Sequence, residues 1–274
     1  MTTANATEIR THSPIRWFGG KHYVSRHMIP LFPKHHCFVD VFGGGAHVTV
    51  AKPREMSRVE IYNDLDDSLL HFLWTLRNHK KELMAALASM PTSRSLYRQI
   101  CQSPTPTDPI ERAAYWFYKL RQQIIPTNGA PSGFRYGKVK NSALDFQNAV
   151  ARLDSFERRM STVLLENLDF REVIARYDGE STFFVVDAPY FSKEHYYLGG
   201  FSKNDHIELA SMLKQIKGKC MVTYYGDPFI LELYHGFYVR TVETKVGTVA
   251  KAQLGQERRR ETEFFFMNYN PDSL

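Results

Sequence analysis

The sequence predicts an α/β fold, a doubly wound sheet of seven strands interrupted by a helical insert. Three observations carry this expectation. An apolar run, Phe38-Val39-Asp40-Val41-Phe42, ends in Gly43-Gly44-Gly45, the strand-and-glycine-turn opening of a nucleotide-binding unit. A second buried-strand pattern, Phe183 to Val186, drives into Asp187-Ala188-Pro189-Tyr190-Phe191. That order sets a carboxylate at the carboxyl edge of a sheet, where open α/β folds bind ligands. Between these stretches, residues 68–160 carry apolar side chains mostly at helical spacing.

Composition narrows the class. The 274 residues can bury a full core, and 43% hydrophobic with 23% charged residues is ordinary for a globular protein. The net charge of +6 and pI near 9.1 lean mildly toward a polyanionic partner. Its distribution says more. Residues 9–39 hold Arg10, Arg16, Lys21, Arg26 and Lys34 with no acid, and residues 112–144 hold Arg112, Lys119, Arg121, Arg135, Lys138 and Lys140 with no acid. Acid-free basic tracts suit phosphate contacts. The three cysteines, Cys37, Cys101 and Cys220, are scattered and form neither a metal-spaced pair nor a disulfide framework, so no metal and a cytoplasmic setting are expected. No apolar run approaches the ~20 residues of a membrane span, and the polar N-terminus reads as a loose lead-in.

Along the chain, Trp17-Phe18-Gly19-Gly20-Lys21 sets glycines that admit a close ligand beside a positive charge. Residues 37–42 form the first strand, and a helix is expected to start at His47. Residues 59–62 form the second strand, ending at Asn63-Asp64, about 20 residues beyond the glycines, where an acid can bind ribose hydroxyls. Asp64, Asp66 and Asp67 are equally candidates to cap the next helix. That helix is expected over 68–90. Asp108-Pro109-Ile110-Glu111 then supplies a cap, a proline at the first helical position and an acid three residues after the cap, for a helix to about Ile125. Residues 126–141 mix glycine, proline, Phe134-Arg135-Tyr136 and lysines, a composition that fits groove or base contacts and equally a solvated hairpin. A helix over 142–160 follows. Strands are then expected at 162–165, 183–187, 221–225, 237–242 and 263–268, with helices starting at Asn204-Asp205 and at Asp227-Pro228. The last two strands, joined by a long polar connection that contains Arg258-Arg259-Arg260, suit a hairpin.

In ordered motifs over nearly its whole length, the chain resembles the Dam-type DNA adenine methyltransferases. Trp17-Phe18-Gly19-Gly20-Lys21 is similar to the family's W-x-G-G-K element, residues 38–45 to its glycine loop, Asn63-Asp64 to its ribose-binding acid, Asp187-Ala188-Pro189-Tyr190 to its catalytic D-P-P-Y, and residues 263–269 to its closing strand. The resemblance implies a Rossmann-like methyltransferase domain from residues 1–67 and 161–274, with a helical target-recognition insert at 68–160. It implies S-adenosylmethionine as cofactor, held by Trp17, Gly20, Lys21, Asp40, Phe42, Gly43, Gly45, Asp64, Asp169, Phe170 and Asp187. Lys21 would face the methionine end, Asp64 the ribose, and Asp169-Phe170 the adenine.

The implied reaction moves a methyl group to the exocyclic N6 amine of a flipped adenine in double-stranded DNA. Asp187 and the carbonyl of Ala188 would grip the amine, with Pro189 shaping the turn and Tyr190 stacking on the base. Lys119, Arg121, Asn128, Arg135, Tyr136, Lys138 and Lys140 would contact DNA, and a restriction endonuclease is a conceivable partner. One departure stands out. The family has proline where this chain has Ala188, which frees the backbone at 188 and predicts a slower or less stiff site. It also motivates the alternative of a non-catalytic binding relative; transfer to N4 of cytosine is a further alternative, disfavoured because such enzymes usually carry Ser in place of Asp187.

Overall fold

The computed structural model describes residues 12–126, 131–137, 140–194, 200–245 and 260–274. Its centre is a seven-stranded sheet: β1 Cys37–Asp40, β2 Val59–Asn63, β3 Leu164–Glu166, β4 Thr182–Val186, β5 Lys219–Tyr225, β6 Tyr238–Lys245 and β7 Arg260–Met267. Their order across the sheet is β3-β2-β1-β4-β5-β7-β6. The first five strands run parallel, and β7 lies antiparallel between β5 and β6. The chain starts in the middle at β1, moves outward to β3, then returns to β4 beside β1. That reversal opens a crevice at the carboxyl ends of β1 and β4, the place where such sheets bind ligands.

Register decides which side chains meet there. Asp40 pairs with Tyr62 on one side and Val185 on the other. Val186 pairs with Val222, so the next residues along these strands, Asp187 and Thr223, fall side by side. Tyr225 pairs with Glu263 because β7 runs the opposite way. The antiparallel strand therefore delivers its early residues to the edge where the parallel strands end.

Helices cover both faces. They are α1 Ser25–Met28, α2 His47–Ala51, α3 Asp67–Asn78, α4 Lys80–Ser89, α5 Arg94–Gln102, α6 Pro109–Gln122, α7 Ser142–Met160, α8 Phe170–Tyr177, α9 Lys203–Leu213 and α10 Pro228–Leu233. The central strands carry apolar side chains on both faces because both are buried: Phe38, Phe183, Val185 and Met221 on one side, Val39, Phe184, Val186 and Val222 on the other. Helices α3 to α7 share a core in which Phe72 stacks on Phe117 at 5.1 Å. The same core continues through Ala46, Val50 and Tyr62 onto the sheet. Among the described residues no helix is long and apolar enough to cross a membrane.

Several elements differ from the sequence expectation. The single helix expected over 68–90 is two, broken at His79, whose backbone leaves the helical region at φ −131° and ψ 40°. Asn78 and His79 are weak helix formers, and periodicity alone does not register a one-residue break. Helices α5 and α8 were not expected. The signal for α8 was present in Asp169, which accepts from the Arg171 amide at 2.9 Å and caps the helix. Ser202, not Asn204, opens α9 through a capping box with Asp205. Strands β6 and β7 pair antiparallel over eight residue pairs and reach further than expected, to Lys245 and from Arg260. Arg258 and Arg259 lie outside the described residues.

A buried ionic node ties α7 to the sheet. Glu60 on β2 receives the Lys52 ammonium at 2.7 Å and both arms of Arg159, at 2.7 and 2.9 Å. Arg159 also donates to the Thr49 carbonyl at 2.7 Å, and the Thr49 hydroxyl donates to Asp40 at 2.6 Å. The helical region and the crevice are thereby joined by a continuous chain of hydrogen bonds.

Candidate active site

A cavity of about 280 Å³ fills the crevice, and its walls come from four of the expected motifs, the closing strand 263–269 contributing none. Trp17, Gly20 and Lys21 form one side; Asp40, Phe42, Gly43 and Gly45 come from β1 and its turn; Asp64 comes from the end of β2; Asp187 and Pro189 close the far end. Two glycines in the turn are required by geometry. A Cβ on Gly43 would sit 2.1 Å from the Tyr62 ring, and one on Gly44, at φ +47°, would sit 2.5 Å from the Trp17 indole nitrogen. The turn thus packs directly under Trp17.

Asp187 is the most elaborately held of these groups. Its Oδ1 accepts from the Thr223 hydroxyl at 2.7 Å and from the Lys21 ammonium at 2.5 Å. Both donors sit on one oxygen, and among the described residues none donates to Oδ2. Burial pushes the Asp187 carboxyl up from the usual range, Lys21 opposes this, and the nearby Glu263 reinforces it. The Lys21 ammonium also donates to the Gly19 carbonyl at 3.0 Å and the Tyr190 hydroxyl at 2.6 Å, and lies 3.2 Å from Glu263. Lys21 was expected to face the methionine end of a cofactor. It lines the cavity, but its ammonium is committed to Asp187, because a carboxylate within reach attracts a buried cation more strongly than a distant one.

Tyr190 also departs from expectation. It is 3% exposed, stands behind the cavity wall, and packs edge-on against Tyr225 at 4.6 Å. The Lys21 ammonium sits 4.8 Å from its ring centre, so in this arrangement that ring is not open to a stacked base. Ala188 is buried at 1% exposure.

The cavity is acid-rich. Asp40, Asp64, Asp66, Asp67 and Asp187 line it against one lysine. Burial drives the Asp40 carboxyl up to about 7, with the Thr49 hydrogen bond opposing, and the Asp64 carboxyl up to about 6, with amide donors opposing. Asp64 accepts from the Gly44 amide at 2.8 Å and the Asp66 amide at 2.9 Å, while Asp66 caps α3 through Ser68 and Leu69. Of these acids, Asp66 takes the capping role, while Asp64 lines the cavity without capping the helix. His47, missed from the sequence, also lines the cavity; burial pushes its imidazole down to about 3, so it is neutral.

A second cavity of about 160 Å³ shares Phe42, Leu65, Gly200 and Phe201 with the first. Asp169 and Phe170 line it, so all eleven residues expected to hold a cofactor fall in one of two adjoining spaces. Phe201 packs against both Phe42, at 5.8 Å, and Phe170, at 5.6 Å. Thr223 and Glu263 were not foreseen, since only strand register brings them beside Asp187. Among the described residues no group of three His, Cys, Asp or Glu side chains is placed to hold a metal ion.

The residues expected to meet DNA divide in two. Lys140 is exposed, Tyr136 is 63% exposed, and Lys119 is partly exposed. Arg121 corrects the expectation: it is buried, donating to the Pro14 carbonyl at 3.1 Å and to Asp145 at 2.7 Å. Arg135 shares Asp145 with it at 2.5 Å. These two arginines hold the end of α6 to the start of α7. Asn128 and Lys138 lie outside the described residues.

Comparison with known proteins gives two findings. The D12 class N6 adenine-specific DNA methyltransferase family matches residues 17–248. The type II methyltransferase M.CviBI of Paramecium bursaria Chlorella virus NC1A is similar at 23% identity over 237 residues, covering 84% of this chain and 89% of its own length.

Proposed function

The chain belongs to the D12 class N6 adenine-specific DNA methyltransferase family and is an enzyme that methylates adenine in DNA; on that premise we propose that it draws its methyl group from S-adenosylmethionine and orients the target amine with Asp187. The observation that carries this reading is the hold on Asp187: Thr223 and Lys21 both occupy Oδ1, which turns the second carboxylate oxygen over to a substrate donor.

S-adenosylmethionine supplies, when bound, a methyl group on a cationic sulfonium. A cavity with five aspartates and one lysine suits such a ligand electrostatically. Asp64, whose carboxylate already accepts two amide hydrogens, is placed for ribose hydroxyls. The smaller cavity, walled by Phe42, Phe170 and Phe201, takes the flat adenine end. Gly43, Gly45 and Trp17 line the space between that end and Asp187.

Adenine's amine is a poor nucleophile because its lone pair is delocalised into the ring. Two acceptors on its two hydrogens, Asp187 and the Ala188 carbonyl, favour a pyramidal nitrogen and free the lone pair. The amine gives up one proton in the net reaction. A carboxyl whose proton affinity is raised by burial is a suitable first acceptor. For Tyr190 to stack on the base, the Lys21 ammonium has to move off its ring.

The helical region over 68–160 is the target-reading part on this account, with Lys119, Tyr136 and Lys140 toward the duplex and Arg121 and Arg135 bracing it. The type II designation of the relative supports a restriction-modification setting, with an endonuclease as partner. Trp17 lines the cavity, so its fluorescence reports the cofactor step. Titration with S-adenosylmethionine is expected to quench it saturably, with at least about tenfold weaker binding in Asp64→Asn. No saturable signal, with no heat on calorimetric titration, contradicts the cofactor assignment.

A further inference from the structure

We propose that Glu263 is a positioning residue for methyl transfer, fixing the Tyr190 hydroxyl and the Lys21 ammonium beside Asp187. The inference rests on reading Asp187 as the amine acceptor and adds a residue to that reading.

Glu263 is an acid in an apolar row. Alternate residues of a strand share a face, so Glu263, Phe265 and Met267 of β7 point the same way. Phe265 and Met267 are fully buried in the core, and Glu263 is 2% exposed. A carboxylate in that row forfeits hydration and gives the sheet nothing that an apolar side chain would not. Its partners show what it does instead. Glu263 Oε1 accepts from the Tyr190 hydroxyl at 2.6 Å and lies 3.2 Å from the Lys21 ammonium. Both partners belong to the active-site cluster.

The contacts form a chain: Asp187 Oδ1, Lys21 Nζ, Tyr190 hydroxyl, Glu263 Oε1. Two carboxylates share one ammonium, which holds Lys21 between them. The Tyr190 hydroxyl accepts from Lys21 and donates to Glu263, which pins the ring at its far end. When an incoming base displaces the ammonium from the Tyr190 ring, Glu263 keeps a counter-charge within reach. Without it, Lys21 has Asp187 as its one anionic partner among these groups, and the Tyr190 hydroxyl loses the acceptor that fixes it beside the ammonium.

The charge of Glu263 also acts on Asp187 through space. The groups facing Asp187 among the described residues include Lys21, Thr223, Glu263, Tyr190, Tyr224, Tyr225 and Asp40. Of these, Glu263 raises the proton affinity of Asp187 and Lys21 lowers it. Removing the negative charge therefore shifts the acid limb of the rate profile to lower pH, a change that loss of packing alone does not produce.

The test is single-turnover methyl transfer from S-adenosylmethionine to unmethylated DNA, across pH 5 to 9, in the wild type, Glu263→Gln and Glu263→Asp. Glu263→Gln is expected to lower the transfer rate about tenfold or more, leave cofactor affinity within about twofold, and move the acid limb down by a few tenths of a pH unit. Glu263→Asp keeps the charge and is expected to retain the wild-type acid limb with part of the rate. An unchanged rate in Glu263→Gln overturns the proposal. So does a lowered rate with an unmoved acid limb and no recovery in Glu263→Asp, since that is the signature of a structural role. Should Glu263→Gln not fold, Tyr190→Phe cuts the same chain without removing a charge, and a wild-type rate there overturns the proposal. A wild type that binds cofactor yet transfers nothing sinks the reading of Asp187, and this inference with it; an active wild type with an indifferent Glu263→Gln sinks the inference alone.

Discussion

The Thr223 hydroxyl donates to Asp187 Oδ1 over 2.7 Å, across the boundary between neighbouring parallel strands. The strand pairing sets this contact, so the orientation of the carboxylate is built into the sheet. A hydrogen bond to a charged group contributes roughly 1.5–3 kcal/mol, and here it selects one rotamer of the acid. Thr223→Val, which keeps the shape and removes the donor, is expected to lower kcat about tenfold with little change in cofactor affinity. Thr223→Ser should restore most of it. Steady-state kinetics on unmethylated DNA, with cofactor binding measured separately, checks both.

That relationship marks where sequence reading stopped. The seven strands, their motifs and the crevice were legible because each is announced locally, by an apolar run ending in glycines or an acid. Lys21 beside Asp187, 166 residues apart, was not, because pairing between distant residues depends on sheet order and register. Thr223 carries no motif of its own, and Glu263 opens the closing-strand motif without showing what it faces; both gain meaning from the strand pairing that sets them at this edge. Arg121 misled for the same reason: a basic residue in an acid-free tract reads as surface until α7 brings Asp145 against it.

The Glu60 node makes a prediction about stability. Arg159, Lys52 and Glu60 are buried together, so removing one partner strands charge in the core. Arg159→Met is expected to reduce the unfolding free energy by about 3–5 kcal/mol, measured by urea denaturation. It should also weaken cofactor binding, because Arg159 anchors the Thr49 carbonyl and the Thr49 hydroxyl holds Asp40.

The raised carboxyls predict a pH dependence. Asp40, near 7, and Asp64, near 6, both hold protons more tightly in the folded chain than in the unfolded one, where such groups titrate near about 4. Their contribution to stability is therefore fully present below pH ~4 and is lost as pH rises through 6 and 7. Asp40→Asn should stabilise the ligand-free protein more at pH 7.5 than at pH 5, by thermal melts. Cofactor affinity should run the other way, rising with pH by up to about a hundredfold per unit well below 6, by up to about tenfold per unit between 6 and 7, and flattening above 7, since the ionised acids receive the ligand. In Asp64→Asn the steeper part below pH 6 should be lost, leaving the single-proton slope that Asp40 sets up to about pH 7.

Two basic residues of the helical region should behave in opposite ways. Lys140 is exposed, so Lys140→Ala is expected to weaken DNA binding several-fold on all sequences and to lower the salt slope by about 1. Arg121 is buried against the partly exposed Asp145, so Arg121→Met should cost about 1–3 kcal/mol of stability and alter DNA binding only through the fold. Fluorescence anisotropy at several salt concentrations, with melts in parallel, separates them.

The most direct measurement is the nucleoside content of unmethylated DNA incubated with S-adenosylmethionine and either the wild type or Asp187→Asn, read by mass spectrometry. The account predicts N6-methyladenine with the wild type and at least about 100-fold less with Asp187→Asn, while the variant still binds cofactor and DNA. Methylation by Asp187→Asn at a rate near the wild type's would contradict it, because the carboxylate held by Thr223 and Lys21 would then not be what orients the amine.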